Sequence, residues 1–260
     1  MRIISTILLT ACSLCAAPSE IWLILAMGQS NMVGNGQAYP LQPTAIFDSS
    51  VEYYTTAGSI DGSGGVTESG QESNSWVKLT SYTSNTGPEK GCARMLAKAG
   101  HKVAVVKFAR NGRPIGEWLS SGDFYTYWRP FFTDRKAELE ARGYTVRVAF
   151  LWQQGHANRE STAGYYAVAF AELLADVRSL SGDQPVPFAI ARQHIDTTST
   201  QSISVLRAEQ VAAADADTLG SWYNLDDLTL RDGTTHLDSL GFTAAGVRAG
   251  ESIIALIDTL

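Results

Sequence analysis

The chain has little cysteine: three residues in 260, at Cys12, Cys15 and Cys92. Two of these lie near the N-terminus, so neither a disulfide framework nor a paired CxxC zinc site can be built from the rest of the chain. A basic run is also missing. Twenty Lys and Arg stand against 26 Asp and Glu, a formal net charge of −6. A phosphate backbone finds no electrostatic footprint here, which excludes nucleic acid as the expected partner. There is no glycine-rich phosphate loop. Past the N-terminal segment no consecutive apolar run is long enough to span a bilayer. Charged residues are 18% of the chain and hydrophobic residues 45%, a globular composition that excludes a disordered protein. No internal repeat or break divides it, so a single domain is expected over residues 20–260.

Residues 1–19 read as an export signal rather than part of the fold. Arg2 supplies a positive charge, Ile3–Ala11 is apolar and small, and Ser13–Ala17 is a run of small residues. Two endings stay open. Leu9-Thr10-Ala11-Cys12 fits a pattern that would lipidate Cys12, and Cys15-Ala16-Ala17 fits a small-x-small cleavage site. Either ending implies a periplasmic, secreted or envelope-anchored protein.

Continuous apolar runs mark strands buried on both faces: Ile21–Ala26, Val103–Phe108, Val146–Trp152 and Val186–Ala191. A short fifth strand is expected near Trp222–Leu225. Helical patterns lie between them, at Glu89–Ala99, Tyr127–Arg142, Ala163–Leu180, Ser202–Ala214 and Thr243–Leu260. Alternating strands and helices predict a parallel sheet covered on both sides. Tyr39–Ser84 is rich in Gly, Ser and Thr and reads as a long excursion, with a hairpin at Val51–Thr55 and a short strand at Trp76–Leu79.

In open α/β sheets ligands bind outside the carboxyl ends of the strands. Those ends carry Gln29-Ser30-Asn31, Asn111-Gly112-Arg113, Gln154-Gly155-His156 and Gln193-His194, and Asp232–His236 precedes the last helix. A serine hydroxyl there needs a base, and the oxyanion of a tetrahedral intermediate needs N–H donors. Ser30, a histidine, Gly112 and the Gln154 amide add up to the parts for acyl transfer. Trp118 and Trp152 read as core or pocket wall. A three-histidine metal site from His156, His194 and His236 can be drawn on paper, but no metal or other cofactor is expected.

These segments resemble a known family. Trp22–Gly34 (WLILAMGQSNMVG) is similar to the nucleophile block of the SGNH-hydrolase superfamily, in the branch of sialic-acid-acetylesterase-like proteins and family-six acetylxylan esterases. Gly87-Pro88-Glu89, Lys107–Trp118, Trp152–His156 and Asp232–Gly241 resemble its later blocks, in order. The resemblance implies a flavodoxin-like three-layer α/β/α sandwich with a five-stranded parallel sheet. It also implies a metal-free serine esterase removing O-acetyl groups from carbohydrate. By matched position Ser30 is the nucleophile, His236 the base, and Gly112, Gln154 and the Ser30 N–H are the oxyanion donors, with the Asn111 N–H next. Gln29, Asn31, Arg113 and His156 are the expected substrate-binding residues, Asn31 being equally able to hydrogen-bond the turn. Three departures fall on the presumed active face: Asn111 replaces a glycine, Arg113 a threonine and His156 a glutamate. The acid-to-histidine spacing is also one residue longer. Asp232 is the expected acid, with Asp226, Asp227 and Asp238 as competitors. Two other readings remain open on sequence: a general short-chain esterase, and a glycan-binding protein on a decayed esterase scaffold.

Overall fold

The structure, a computed structural model, describes residues 19–34, 50–56, 75–79, 87–195 and 201–260. Along the chain run β1 (Ser19–Gly28), α1 (Ser30–Val33), β2 (Glu52–Thr56), β3 (Val77–Lys78), α2 (Glu89–Lys98), β4 (Val103–Ala109), α3 (Tyr125–Ala141) and β5 (Tyr144–Gln153). Then come α4 (Tyr165–Leu180), β6 (Phe188–Ala191), α5 (Gln201–Asp215), β7 (Gly220–Tyr223) and α6 (Ser239–Ile257). Short 3-10 turns lie at Ile115–Trp118 and His156–Asn158.

The strands form one seven-stranded sheet in the order β3-β2-β4-β1-β5-β6-β7. All neighbours are parallel except β2 and β3. The sheet is wider by two strands than the five expected. The reason lies in β4, where every residue is buried and which therefore cannot be an edge. β2 covers it, pairing Tyr53 with Val105 and Thr55 with Lys107. The hairpin expected at Val51–Thr55 is instead one strand, β2, whose antiparallel partner is the separate strand Val77–Lys78. The Gly-rich stretch 59–65 and residues 1–18, including Cys12 and Cys15, lie outside the described residues. Ser19 already pairs with Tyr144, so β1 begins one residue inside the segment read as a leader.

Alternating residues of β1 feed two cores. Leu23, Leu25 and Met27 join Phe150 and Trp152 beneath Trp128 and Phe132 of α3, and Phe170 and Leu173 of α4; Leu206 of α5 lies on the same side. Trp22, Ile24 and Ala26 join Ala149 and Leu151 beneath Leu96 of α2, and Phe242, Ala245 and Ile253 of α6. The result is the expected three-layer sandwich, with β1 at its centre. By length and composition alone, α6 is apolar enough to cross a membrane, which qualifies the expectation that no such segment lies beyond the N-terminus. Here it is a core helix, with Phe242, Ala245, Ala249 and Ile253 buried on the sheet. Asp238 caps it by accepting from Gly241 N at 2.8 Å, which starts the helix earlier than Thr243.

Phe170 is fully enclosed, stacked on Phe150 at a centroid distance of 6.1 Å. Phe170→Ala is expected to cost about 3–5 kcal/mol through lost burial and the cavity left behind. Urea unfolding checks this; a loss under about 1 kcal/mol would mean the α4 face is not packed as described.

Candidate active site

β1 lies between β4 and β5, so its carboxyl end opens into the middle of the sheet edge. The turn after it is tightly held. Gly28 adopts φ +149°, and a Cβ there would come 2.1 Å from Gln153 O. Only glycine therefore lets the chain close onto β5. Gln29 N donates to Gln153 O at 3.0 Å, and Arg110 N to Gly28 O at 2.8 Å, which joins the ends of β1, β4 and β5. Ser30 then starts α1, nearly buried. As the first residue of a helix, its N–H has no intrahelical acceptor.

The loop before α6 brings the histidine to it. Leu230 and Leu237 pair across the loop, and Arg231 N donates to His236 O at 2.7 Å. Asp232 Oδ1 accepts the N–H groups of Thr234, Thr235 and His236 at 3.0, 2.8 and 3.0 Å. Gly233, at φ +74°, absorbs the extra residue of spacing. Asp232 Oδ2 lies 2.5 Å from His236 Nδ1, and His236 Nε2 lies 3.0 Å from Ser30 Oγ. With the carboxylate accepting Nδ1–H, the imidazole presents the lone pair of Nε2 to the serine hydroxyl. Partial burial raises the Asp232 carboxyl. The N–H groups of Thr235, His236 and Thr234, with the His236 ring, outweigh this and hold it well below the usual carboxylate range. The competing acids are engaged elsewhere. Asp226 pairs with Arg192 and Arg207, Asp227 with Arg248, and Asp238 caps α6.

Asn31 locks the two halves together: its Nδ2 donates to Thr235 O at 2.9 Å, and its Oδ1 accepts from Leu237 N at 3.1 Å. Of the two roles open to Asn31, turn or substrate, its amide is engaged by the backbone of the histidine loop. Gln29, also expected to bind substrate, touches the site's cavity and accepts Gly155 N and Ala157 N at 3.4 and 3.3 Å.

A cavity of about 520 Å³ opens over Ser30 and His236, lined also by Gln29, Asn111, Gly112, His156, Ala157, Arg159 and Thr235. Asn111, Gly112 and His156 are thus brought to the site. Arg113 is not a lining residue; its guanidinium lies 3.9 Å from Glu117, and its carbonyl accepts from Gln154. Gln154 needs a correction. Its amide nitrogen lies 3.0 Å from Arg113 O and 2.6 Å from Asn158 Oδ1, so both N–H groups have acceptors and neither points into the cavity. Gln154 therefore supports the Gly112–Arg113 turn from behind. Trp118 and Trp152 are wholly buried and packed edge-on at 5.3 Å, as core residues. His194 hydrogen-bonds Ile195 O outside the cavity, and among the described residues no three His, Cys, Asp or Glu side chains cluster as metal ligands.

Arg159 and Thr235 join the site without a sequence expectation behind them. Arg159 Nη1 lies 3.1 Å from His156 Nδ1. The same guanidinium nitrogen is 3.5 Å from His156 Nε2, which in turn lies 3.4 Å from Thr235 Oγ1. The three-residue separation of His156 and Arg159 across a helical turn is the signal that could have found the pair.

A parallel α/β/α sandwich with a carboxylate–imidazole–hydroxyl chain at the strand ends is the arrangement that the resemblance to SGNH-type hydrolases leads one to expect. A family model described as "carbohydrate esterase, sialic acid-specific acetylesterase" matches residues 18–255. The chain belongs to this family, and so to the carboxylic ester hydrolases of the carbohydrate acetylesterase kind. Among solved structures, a protein from Arabidopsis thaliana is similar with a TM-score of 0.65 at 18% identity, over 90% of this chain and 98% of that one. A carbohydrate acetylesterase from Xanthomonas citri aligns with a TM-score of 0.64 at 17% identity, over 93% of this chain and 57% of that one. NanS aligns with a TM-score of 0.56 at 10% identity, over 94% and 98%. At these identities the structures bear on the fold alone. No curated protein matches the chain in sequence.

Asp232→Asn is expected to lower kcat by about 10²–10⁴, because the amide no longer fixes the tautomer or stabilises the imidazolium. It also has a signature in stability. A carboxyl held below its unfolded value of about 3.9 stabilises the fold above that pH, and this is lost as pH falls through the folded value. The Tm gap between parent and variant should therefore shrink below about pH 4. A gap that widens on acidification, in circular dichroism melts, would contradict the assignment.

Proposed function

We propose that the protein is an exported serine esterase that removes O-acetyl groups from acetylated glycans through Ser30, His236 and Asp232. One observation carries the reading: the unbroken chain from Asp232 Oδ2 to His236 to Ser30 Oγ, at 2.5 and 3.0 Å, opening on a cavity. His236 Nε2 takes the Ser30 proton as Oγ attacks the acetyl carbonyl. The oxyanion that forms is held by the N–H groups of Ser30 and Gly112, with that of Asn111 next to them. Collapse of the intermediate expels the sugar alkoxide, which receives the proton from His236. Water, deprotonated by His236, then attacks the acetyl-enzyme, and acetate leaves with Ser30 restored. Each step moves one proton between an oxygen and Nε2, so no metal is required.

His156 and Arg159 line the cavity beside Thr235 and are the groups placed to meet the sugar. Arg113 is exposed beside Gly112, outside the cavity lining. The acetylated carbohydrate substrate is supported by family membership; xylan and sialic acid are both candidates. Intact triad geometry favours an enzyme over a glycan-binding protein on a decayed scaffold. Export rests on the Met1–Ser19 pattern, and lipid attachment on Leu9–Cys12.

Acetate release from acetylated xylan, O-acetylated sialic acids and short-chain chromogenic esters tests the reading. Ser30→Ala should fold normally and lose several orders of magnitude in kcat. Turnover that rises with acyl chain length would favour a general esterase. Glycan binding without acetate release would favour the decayed scaffold.

A further inference from the structure

Beneath the nucleophile helix lies a fully buried ion pair that takes no part in the proton transfers between Ser30 and His236. Lys107 Nζ, on β4, is 2.9 Å from Glu89 Oε1, at the start of α2. Glu89 Oε1 also accepts from Tyr53 OH of β2 at 2.9 Å and from Gly87 N at 3.2 Å. The same lysine nitrogen donates to Val33 O, the last carbonyl of α1, at 3.0 Å. Gly87 comes up against the other carbonyls of that helix: a Cβ there would meet Met32 O at 2.5 Å and Asn31 O at 2.8 Å. Two contacts of different kinds, one ionic and one steric, therefore converge on the carboxyl end of a helix only four residues long.

Stability alone is a poor reason for such a pair. Desolvating two charges offsets most of their attraction, and apolar replacements of similar size are often neutral or better. Burial pushes the Lys107 ammonium down from its ordinary value, and the Glu89 carboxylate opposes that shift. What an apolar pair could not supply is a donor at Val33 O, held in place by a carboxylate that also takes the Gly87 N–H.

We propose that Lys107 and Glu89, with Gly87, are positioning residues that set the height and tilt of α1, and so the place of Ser30 Oγ relative to His236 Nε2. This rests on the esterase reading for its kinetic expression, but the displacement of α1 does not. A four-residue helix has too few internal hydrogen bonds to hold its own orientation. Misplacing a reacting atom by about 1 Å costs roughly 10²-fold in rate.

The test uses four variants of the full chain. Lys107→Met leaves Glu89 buried without its cation and is expected to lower Tm sharply. Glu89→Gln/Lys107→Met removes both charges and should recover most of that Tm. If the pair positions α1, the double variant stays about 10- to 100-fold low in kcat with KM within about twofold. Lys107→Arg, which keeps a charged donor, should retain more kcat than the double variant. Gly87→Ala keeps both charges but crowds Met32 O and the Glu89 carboxylate, and should lower kcat with a smaller loss of Tm than Lys107→Met. A crystal structure of the double variant should show Val33 O and Ser30 displaced, whether or not the parent releases acetate. Recovery of parental kcat along with Tm in the double variant would overturn the proposal, as would an unmoved α1. An inactive parent with a displaced α1 in the variant would instead sink the esterase reading and leave the positioning intact.

Discussion

The contact of Gly28 with Gln153 constrains everything at the site. β1 can end against β5 only because residue 28 has no side chain, and the turn after it is pinned to β5 by Gln29 N and to β4 through Gly28 O. Ser30 is therefore placed by the three central strands of a sheet whose both faces are packed, not by a free loop. A hydroxyl located this way loses little entropy on reaction, which is the physical content of preorganisation. The histidine is held less rigidly, on a half-exposed loop. Compensation comes from Asp232, which gathers three backbone N–H groups, and from Asn31, next to Ser30 in α1, whose amide ties that loop to the helix.

Polar side chains behind the cavity obey the same logic. Gln154 holds Asn158 Oδ1 and the Arg113 carbonyl, and Asn158 Oδ1 also accepts Ile115 N at 2.8 Å. The Gln154 carbonyl accepts from Tyr166 OH at 2.7 Å and from Gln210 Nε2 at 2.9 Å. Each buried amide joins two loops at the strand ends. The turn carrying Asn111 and Gly112 is thus fixed relative to Ser30 through a chain of hydrogen bonds, as the proposed oxyanion hole of backbone N–H groups would require.

Much of this is legible in the sequence, for identifiable reasons. Strands buried on both faces must be apolar throughout, so β1, β4 and β5 announce themselves, and with them the polar segments at their carboxyl ends. Ser30 and His236 come from those positions and from the ordered blocks, and Asp232 from its nearness to His236. β2 is harder to read because Glu52-Tyr53-Tyr54-Thr55-Thr56 has the composition of a local hairpin, while its parallel partner lies some fifty residues on in β4. Gln154 misleads because an amide at a strand end has two N–H groups whose acceptors sequence does not reveal. One acceptor, Asn158, comes from the next turn, and the other is a main-chain carbonyl. Lys107 and Glu89 read as motif residues without a role, since a buried ion pair between β4 and α2 becomes visible only once α1 is stacked upon it.

The central claim is that Ser30 is an activated nucleophile in an otherwise unreactive set of hydroxyls. A serine-directed phosphonate, with peptide mapping of the full chain, tests this most directly. One adduct is expected, on the peptide containing Ser30, forming in step with loss of esterase activity and suppressed in His236→Ala. Complete loss of activity with the adduct on another residue, or undiminished activity with Ser30 fully labelled, would contradict the account.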